Sequence, residues 1–209
     1  MTRCLYPEPS LQNAAAYRNL RVGLFGGSFN PAHSAHQQLA QRALEALELD
    51  VVWWLVSPQN PLKSIDDMGA FASRMVSVQK QLIGTRMLAT DIELQLGTQY
   101  TCETIRQLRE HFPKTHFTWM MGADSFRQFH RWDHWQDIAQ MVPMAVFARP
   151  PRQLRALSGF AAKTLQKYRV QSGKELARRT SEGLPGWVYV MMPLNPISAT
   201  EIRSKHGRT

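Results

Sequence analysis

Apolar runs of strand length alternate with helical patterns along almost the whole chain, and no other feature restricts its fold as strongly. Residues 22–25, 51–56, 117–121, 144–148 and 188–192 read as short strands. Between them lie helical stretches. Residues 34–48 carry Leu39, Ala40, Ala43, Leu44 and Leu47 on one stripe, and residues 71–82 carry Phe71, Met75, Val78 and Leu82. Residues 101–111 turn Ile105 and Leu108 inward, and 134–141 is a short helix. Residues 87–96 alternate in part and are expected to form another strand. The polar, basic stretch 152–180 is expected to be helical in part, and a short helix is expected from Ser198. Such alternation predicts an α/β fold, a mostly parallel sheet with helices on both faces. Residues 1–20 read as an extension, partly disordered or loosely packed, ahead of one domain over 21–209.

Chemistry concentrates first in residues 22–36, where an apolar strand runs into Gly26 and Gly27, then a turn through Ser28, Phe29, Asn30 and Pro31, then His33 and His36. Glycine lets a backbone turn tightly and approach a ligand. A helix N-terminus offers N–H groups and partial positive charge to an anion, and histidine can donate to phosphate oxygens. The helix start has two readings: a cap at Asn30 with Pro31 in the first turn, or a capping box of Ser34 with Gln37. Either way His33 and His36 lie near the first turn, and if both are helical their i, i+3 spacing puts them on one face. The bland alternative is a plain strand–turn–helix connection with two solvated histidines. In parallel sheets, ligands bind beyond the carboxyl ends of strands at a reversal of strand order. Gly26 follows the first strand, Asn60 and Lys63 the second, Gly122 and Asp124 a later one and Ser198 the last, so four dispersed segments are expected to converge on one crevice.

Composition narrows the class. The chain has 209 residues, 44% hydrophobic and 20% charged, which suits one globular domain with a sizeable core. Its longest strong apolar run, 51–56, is far short of a membrane span, and residues 1–20 do not read as a signal peptide, so a cytoplasmic location is expected. Cys4 and Cys102 form no metal-type pair, and Cys102 reads as a small buried residue. The net charge of +9 attracts polyanions, either nucleic acid or a triphosphate substrate. No aromatic-rich basic sheet motif supports a dedicated nucleic-acid partner.

The strings Gly26-Gly27-Ser28-Phe29-Asn30-Pro31, His33-Ser34-Ala35-His36 and Ile197-Ser198-Ala199-Thr200-Glu201-Ile202-Arg203 resemble the two signatures of the nucleotidyltransferase superfamily. With Tyr100-Thr101-Cys102-Glu103-Thr104, Gly122-Ala123-Asp124-Ser125 and Trp132, the chain is most similar to the bacterial nicotinate-nucleotide adenylyltransferases. The resemblance covers roughly residues 21–205 and implies a Rossmann-like fold. It further implies a transferase of NAD biosynthesis that joins nicotinate mononucleotide to AMP from ATP, releasing pyrophosphate. Acting on nicotinamide mononucleotide or another phosphorylated acceptor is the neighbouring alternative, and a non-catalytic nucleic-acid-binding protein a remote one.

By that resemblance, Gly26, Gly27, Ser28 and Phe29 line the reaction centre through backbone groups, and His33 and His36 contact the ATP phosphates. Ser198, Thr200 and Arg203 form a second phosphate clamp. Gly122 and Asp124 meet the ATP side, with Asp124 at a ribose hydroxyl or as a helix N-cap. Asn60 and Lys63 reach the mononucleotide phosphate, although Lys63 also reads as a solvated lysine. Thr101 receives the nicotinate carboxylate, and Trp132 stacks on the pyridine ring or packs in the core. Mg²⁺ is expected to arrive with ATP, held by phosphate oxygens and water, since no carboxylate cluster is evident. The substrate phosphate is already anionic, so positioning and electrostatics carry the reaction without a strong base. One departure stands out: Ala35 occupies the position where the family has glycine.

Overall fold

The computed structural model describes residues 4–58, 68–148 and 156–192. After a 3-10 turn at Leu11–Tyr17 come β1 (Arg21–Gly27), α1 (Ser34–Ala46), β2 (Val51–Val56), α2 (Phe71–Gln79), β3 (Met87–Thr90), α3 (Ile92–Leu96), α4 (Thr101–His111) and β4 (His116–Gly122). They are followed by α5 (Ala123–Gln128), a 3-10 turn (Phe129–Arg131), α6 (Trp135–Met141), β5 (Met144–Ala148), α7 (Phe160–Thr164), a further 3-10 turn (Gln166–Tyr168), α8 (Gly173–Ser181) and β6 (Trp187–Met191). Among the described residues the strands form one six-stranded sheet in the order β3-β2-β1-β4-β5-β6, parallel at every pairing. The expected α/β architecture is therefore present. The strand order reverses between β1 and β4, the point beyond whose carboxyl ends sheets of this kind bind their ligands.

β2 and β5 are buried along their whole length, which is why both read as continuous apolar runs. Successive strand side chains point to opposite faces. Trp53 accordingly packs edge-on with Tyr17, Phe112 and Phe117 on one side of the sheet, while Trp54 packs with Phe25, Phe29 and His36 on the other. The first layer also buries Ile105 and Leu108 of α4 and Ile138 of α6; the second buries Leu39, Ala40, Ala43 and Leu44 of α1, Val78 of α2 and Leu176 of α8. Each Leu, Ile, Val or Phe side chain among these contributes about 1.5–3 kcal/mol when fully removed from water.

Two expectations need correction. Residues 87–96 form a strand only to Thr90. The Thr90 hydroxyl accepts the Ile92 N–H (3.1 Å), Gly97 ends the segment at φ 66°, and Ile92 and Glu93 are both buried, as one helical turn allows and a half-buried strand does not. The second correction concerns the N-terminal segment, which is not loosely packed over its described part. Tyr17 is fully buried with its ring 4.6 Å from that of Trp53, and its hydroxyl donates to the Pro7 carbonyl. The Asn19 N–H donates to the Lys114 carbonyl, the Thr115 hydroxyl to that of Tyr17, and the Thr90 hydroxyl to that of Pro9. Its polar, proline-bearing sequence hides one large aromatic anchor. The helix expected from Ser198 lies outside the described residues.

Candidate active site

β1 delivers the glycine pair to the strand-order reversal. Phe25 pairs with Met120 of β4, so Gly26 and Gly27 lie beside the end of β4, where Gly122 opens α5. A Cβ on Gly27 would press on the Phe29 ring, at 3.1–3.3 Å. Phe29 itself has φ 45°, a left-handed conformation that costs a bulky residue on the order of 1–3 kcal/mol. Its ring is held among those of Phe25 (5.4 Å), Trp54 (5.2 Å) and His36 (5.2 Å).

Neither sequence reading of the helix start is what forms. His33 is the N-cap of α1, and Ser34 is its first residue. The His33 N–H donates to Nδ1 of His36 at 3.2 Å, and the two imidazoles stack with centroids 3.8 Å apart. An imidazole nitrogen that accepts a hydrogen bond carries no hydrogen, so neutral His36 holds its proton on Nε2. The i, i+3 histidine spacing thus serves the helix terminus and sets a tautomer at once. His33 is buried and His36 half-buried. Ala35 is buried too, its methyl accommodated in the first turn.

Gly122 caps α5, and Asp124 is an exposed residue of its first turn instead of the cap. Its negative charge reaches Tyr189 of β6, whose hydroxyl is pushed up by burial and then by Asp124. Arg127 and Arg131 are exposed. Thr101 opens α4. Burial pushes the neighbouring Cys102 thiol up; Arg106 opposes this, and Asp137 and Asp133 reinforce it, so this end of α4 lies beside the segment that carries Trp132. Trp132 is half-buried, edge-on to Trp119 (6.2 Å, 83°) and to Phe129 (5.4 Å, 70°). Asn60, Lys63, Ser198, Thr200 and Arg203 lie outside the described residues.

Comparison with known proteins bears on this arrangement. The Cytidylyltransferase-like family matches residues 24–205. A Caulobacter protein named "Probable nicotinate-nucleotide adenylyltransferase" is 46% identical over 191 residues, covering 90% of this chain and 100% of the relative. A Bradyrhizobium protein of the same name is 44% identical over 188 residues, 90% of this chain and 97% of the relative. The chain belongs to the nicotinate-nucleotide adenylyltransferase family. At the level of fold, this member of the family is similar to Plasmodium falciparum nicotinic acid mononucleotide adenylyltransferase complexed with NaAD, with a TM-score of 0.63 at 15% identity over 88% of this chain and 83% of that one.

Two buried ionisable residues in this adenylyltransferase family member escaped the sequence reading. Arg74 of α2 is 3% exposed. A cation on the stripe of Phe71, Met75 and Val78 was the available signal. Glu93 of α3 is 6% exposed, and its carboxyl is pushed up to about 7 by burial, against hydrogen bonds from Ser57 and Thr104. The Thr104 hydroxyl lies 3.4 Å from Oε1. Reading 87–96 as a strand concealed Glu93. Among the described residues no group of three or more His, Cys, Asp or Glu side chains could hold a metal ion. No helix among them is long and apolar enough to cross a membrane.

Proposed function

We propose that this chain transfers the adenylyl group of ATP to nicotinate mononucleotide, forming deamido-NAD and pyrophosphate. A phosphate oxygen of the mononucleotide attacks the α-phosphorus of ATP. The new P–O bond forms as the bond from the α-phosphorus to the bridging oxygen breaks, and the electron pair leaves on pyrophosphate. Membership of the family supports this reading. The observation that carries it in the structure is the His33 N–H to His36 Nδ1 bond, which leaves a donor on Nε2 at a helix N-terminus next to the glycine turn.

In this proposal His36 and His33 donate to the ATP phosphates and offset the charge that develops as pyrophosphate departs. Backbone groups of Gly26, Gly27, Ser28 and Phe29 line the reacting phosphates. Ser198 and Thr200 bind phosphate, and Arg203 adds a multidentate cation. Gly122 and Asp124 serve the nucleotide, with the Asp124 carboxylate accepting from ribose hydroxyls. Asn60 and Lys63 hold the mononucleotide phosphate, Thr101 takes the nicotinate carboxylate, and Trp132 offers its face to the pyridine ring. Mg²⁺ enters as part of the ATP substrate, held by phosphate oxygens and water. The nucleotidyltransferase domain spans 21–209 behind the segment 1–20, and the unpaired Cys4 and Cys102 suit a reducing cytoplasm.

A pyrophosphate-release assay with purified protein, MgATP and either nicotinate or nicotinamide mononucleotide tests the reading. Faster turnover of the acid is expected. Equal or better use of the amide would overturn the substrate, and no pyrophosphate with either would overturn the reaction.

A further inference from the structure

α2 carries a cation where its neighbours are apolar, and that cation is spent on main-chain carbonyls. Arg74 donates through Nε to Gly69 (2.9 Å), through Nη1 to Ser28 (2.8 Å) and Ser57 (2.7 Å), and through Nη2 to Pro58 (3.0 Å). These acceptors belong to three segments: the turn after β1, the turn after β2, and the entry to α2. One turn further along, the Ser77 hydroxyl accepts the Ala32 N–H (3.1 Å) and lies 3.5 Å from the Phe29 carbonyl. α2 therefore grips the turn between β1 and α1 on both sides of Phe29, the residue held at positive φ. In a trans peptide the C=O and N–H bonds point in opposite directions. With the Ser28 carbonyl drawn to Arg74, the Phe29 N–H points away from α2.

We infer that Arg74, with Ser77, is a positioning residue for adenylyl transfer, fixing the backbone of residues 28–32 so that the Phe29 N–H meets the reacting phosphates. This rests on the proposed function above. A guanidinium suits the task because its planar fork supplies five fixed donors, four of which are used here; a lysine has three donors at one point and cannot reach three segments. The buried charge is permanent, so the clamp does not release across the working pH range.

The test uses Arg74→Lys and Ser77→Ala in the full chain, measured beside wild type by pyrophosphate release, thermal unfolding and amide exchange over residues 26–33. With a misplaced backbone, kcat for Arg74→Lys is expected to fall on the order of tenfold to a hundredfold, with KM for both substrates changed by only about twofold. Faster exchange should be confined to the turn. Ser77→Ala is expected to show the same pattern at about threefold to tenfold, with little change in melting temperature. If Arg74→Lys does not fold, Ser77→Ala decides alone. Folded variants with kcat within about twofold of an active wild type, or losses that merely track the folded fraction, would overturn the clamp. An inactive wild type would instead overturn the adenylyl-transfer reading, so the two failures are separable.

Discussion

Trp119 occupies the space that a side chain on Gly26 would need. A Cβ built on Gly26 would lie 2.5 Å from Cη2 of the indole and 3.0 Å from Cζ2. The same indole is edge-on to Trp132. The glycine of the first signature thus sets, through one aromatic ring of β4, where the Trp132 side chain can sit.

Gly26→Ala should therefore act at a distance. The indole must shift, and overpacking of this kind costs about 1–3 kcal/mol. Melting temperature should drop, and KM for the mononucleotide should rise more than KM for ATP, because Trp132 moves with Trp119. Equal changes in both constants would contradict the coupling.

His36→Ala removes the Nε2–H donor. Turnover is expected to fall about a hundredfold to a thousandfold, the size of a lost charge-stabilising donor. The cap interaction with the His33 N–H is lost as well, which costs α1 about 0.5–2 kcal/mol. Circular dichroism should stay close to wild type at 25 °C. A variant that keeps wild-type kcat would rule out the proposed role.

Glu93 gives the fold a pH dependence whose sign follows from its raised carboxyl. Its ordinary value is 4.5, and in the folded chain it is about 7. Between these values the folded state holds a proton that the unfolded chain has lost. The contribution of the protonated carboxyl is full below about 4.5 and is lost as the pH rises through about 7, a fall of about 3 kcal/mol at most. Glu93→Gln imitates the protonated form. It should flatten the slope and be more stable than wild type at about pH 8, as read from urea midpoints. A Gln variant with the wild-type slope would assign the pH dependence elsewhere.

Gly173 opens α8 where that helix meets the end of α1, and a Cβ there would collide with the Ala46 carbonyl oxygen. The obstacle is backbone, which cannot rotate away as a side chain could. Gly173→Ala should lower stability on the order of 3 kcal/mol, while Gly122→Ala, with open space around it, should lower it far less. Comparable melting temperatures for the two variants would refute this packing argument.

Local pattern was enough for much of this chain. The apolar runs at 51–56 and 144–148 became β2 and β5, and the stripe of Leu39, Ala40, Ala43 and Leu44 became the inner face of α1, because burial on one or two faces leaves a period in the sequence. The glycine pair was legible for a similar reason: β1 carries Gly26 and Gly27 to the reversal of strand order beside β4, where packing against Trp119 leaves no room for a Cβ on Gly26. Tertiary structure alone decided the rest. Tyr17 became a core residue through contacts with Trp53 and Phe112, distant in sequence, and no period in residues 1–20 encodes such contacts. Arg74 and Glu93 broke the local rule that charge faces water. Carbonyls and hydroxyls from other segments satisfied them, and partners of that kind exist only once the chain has closed around them.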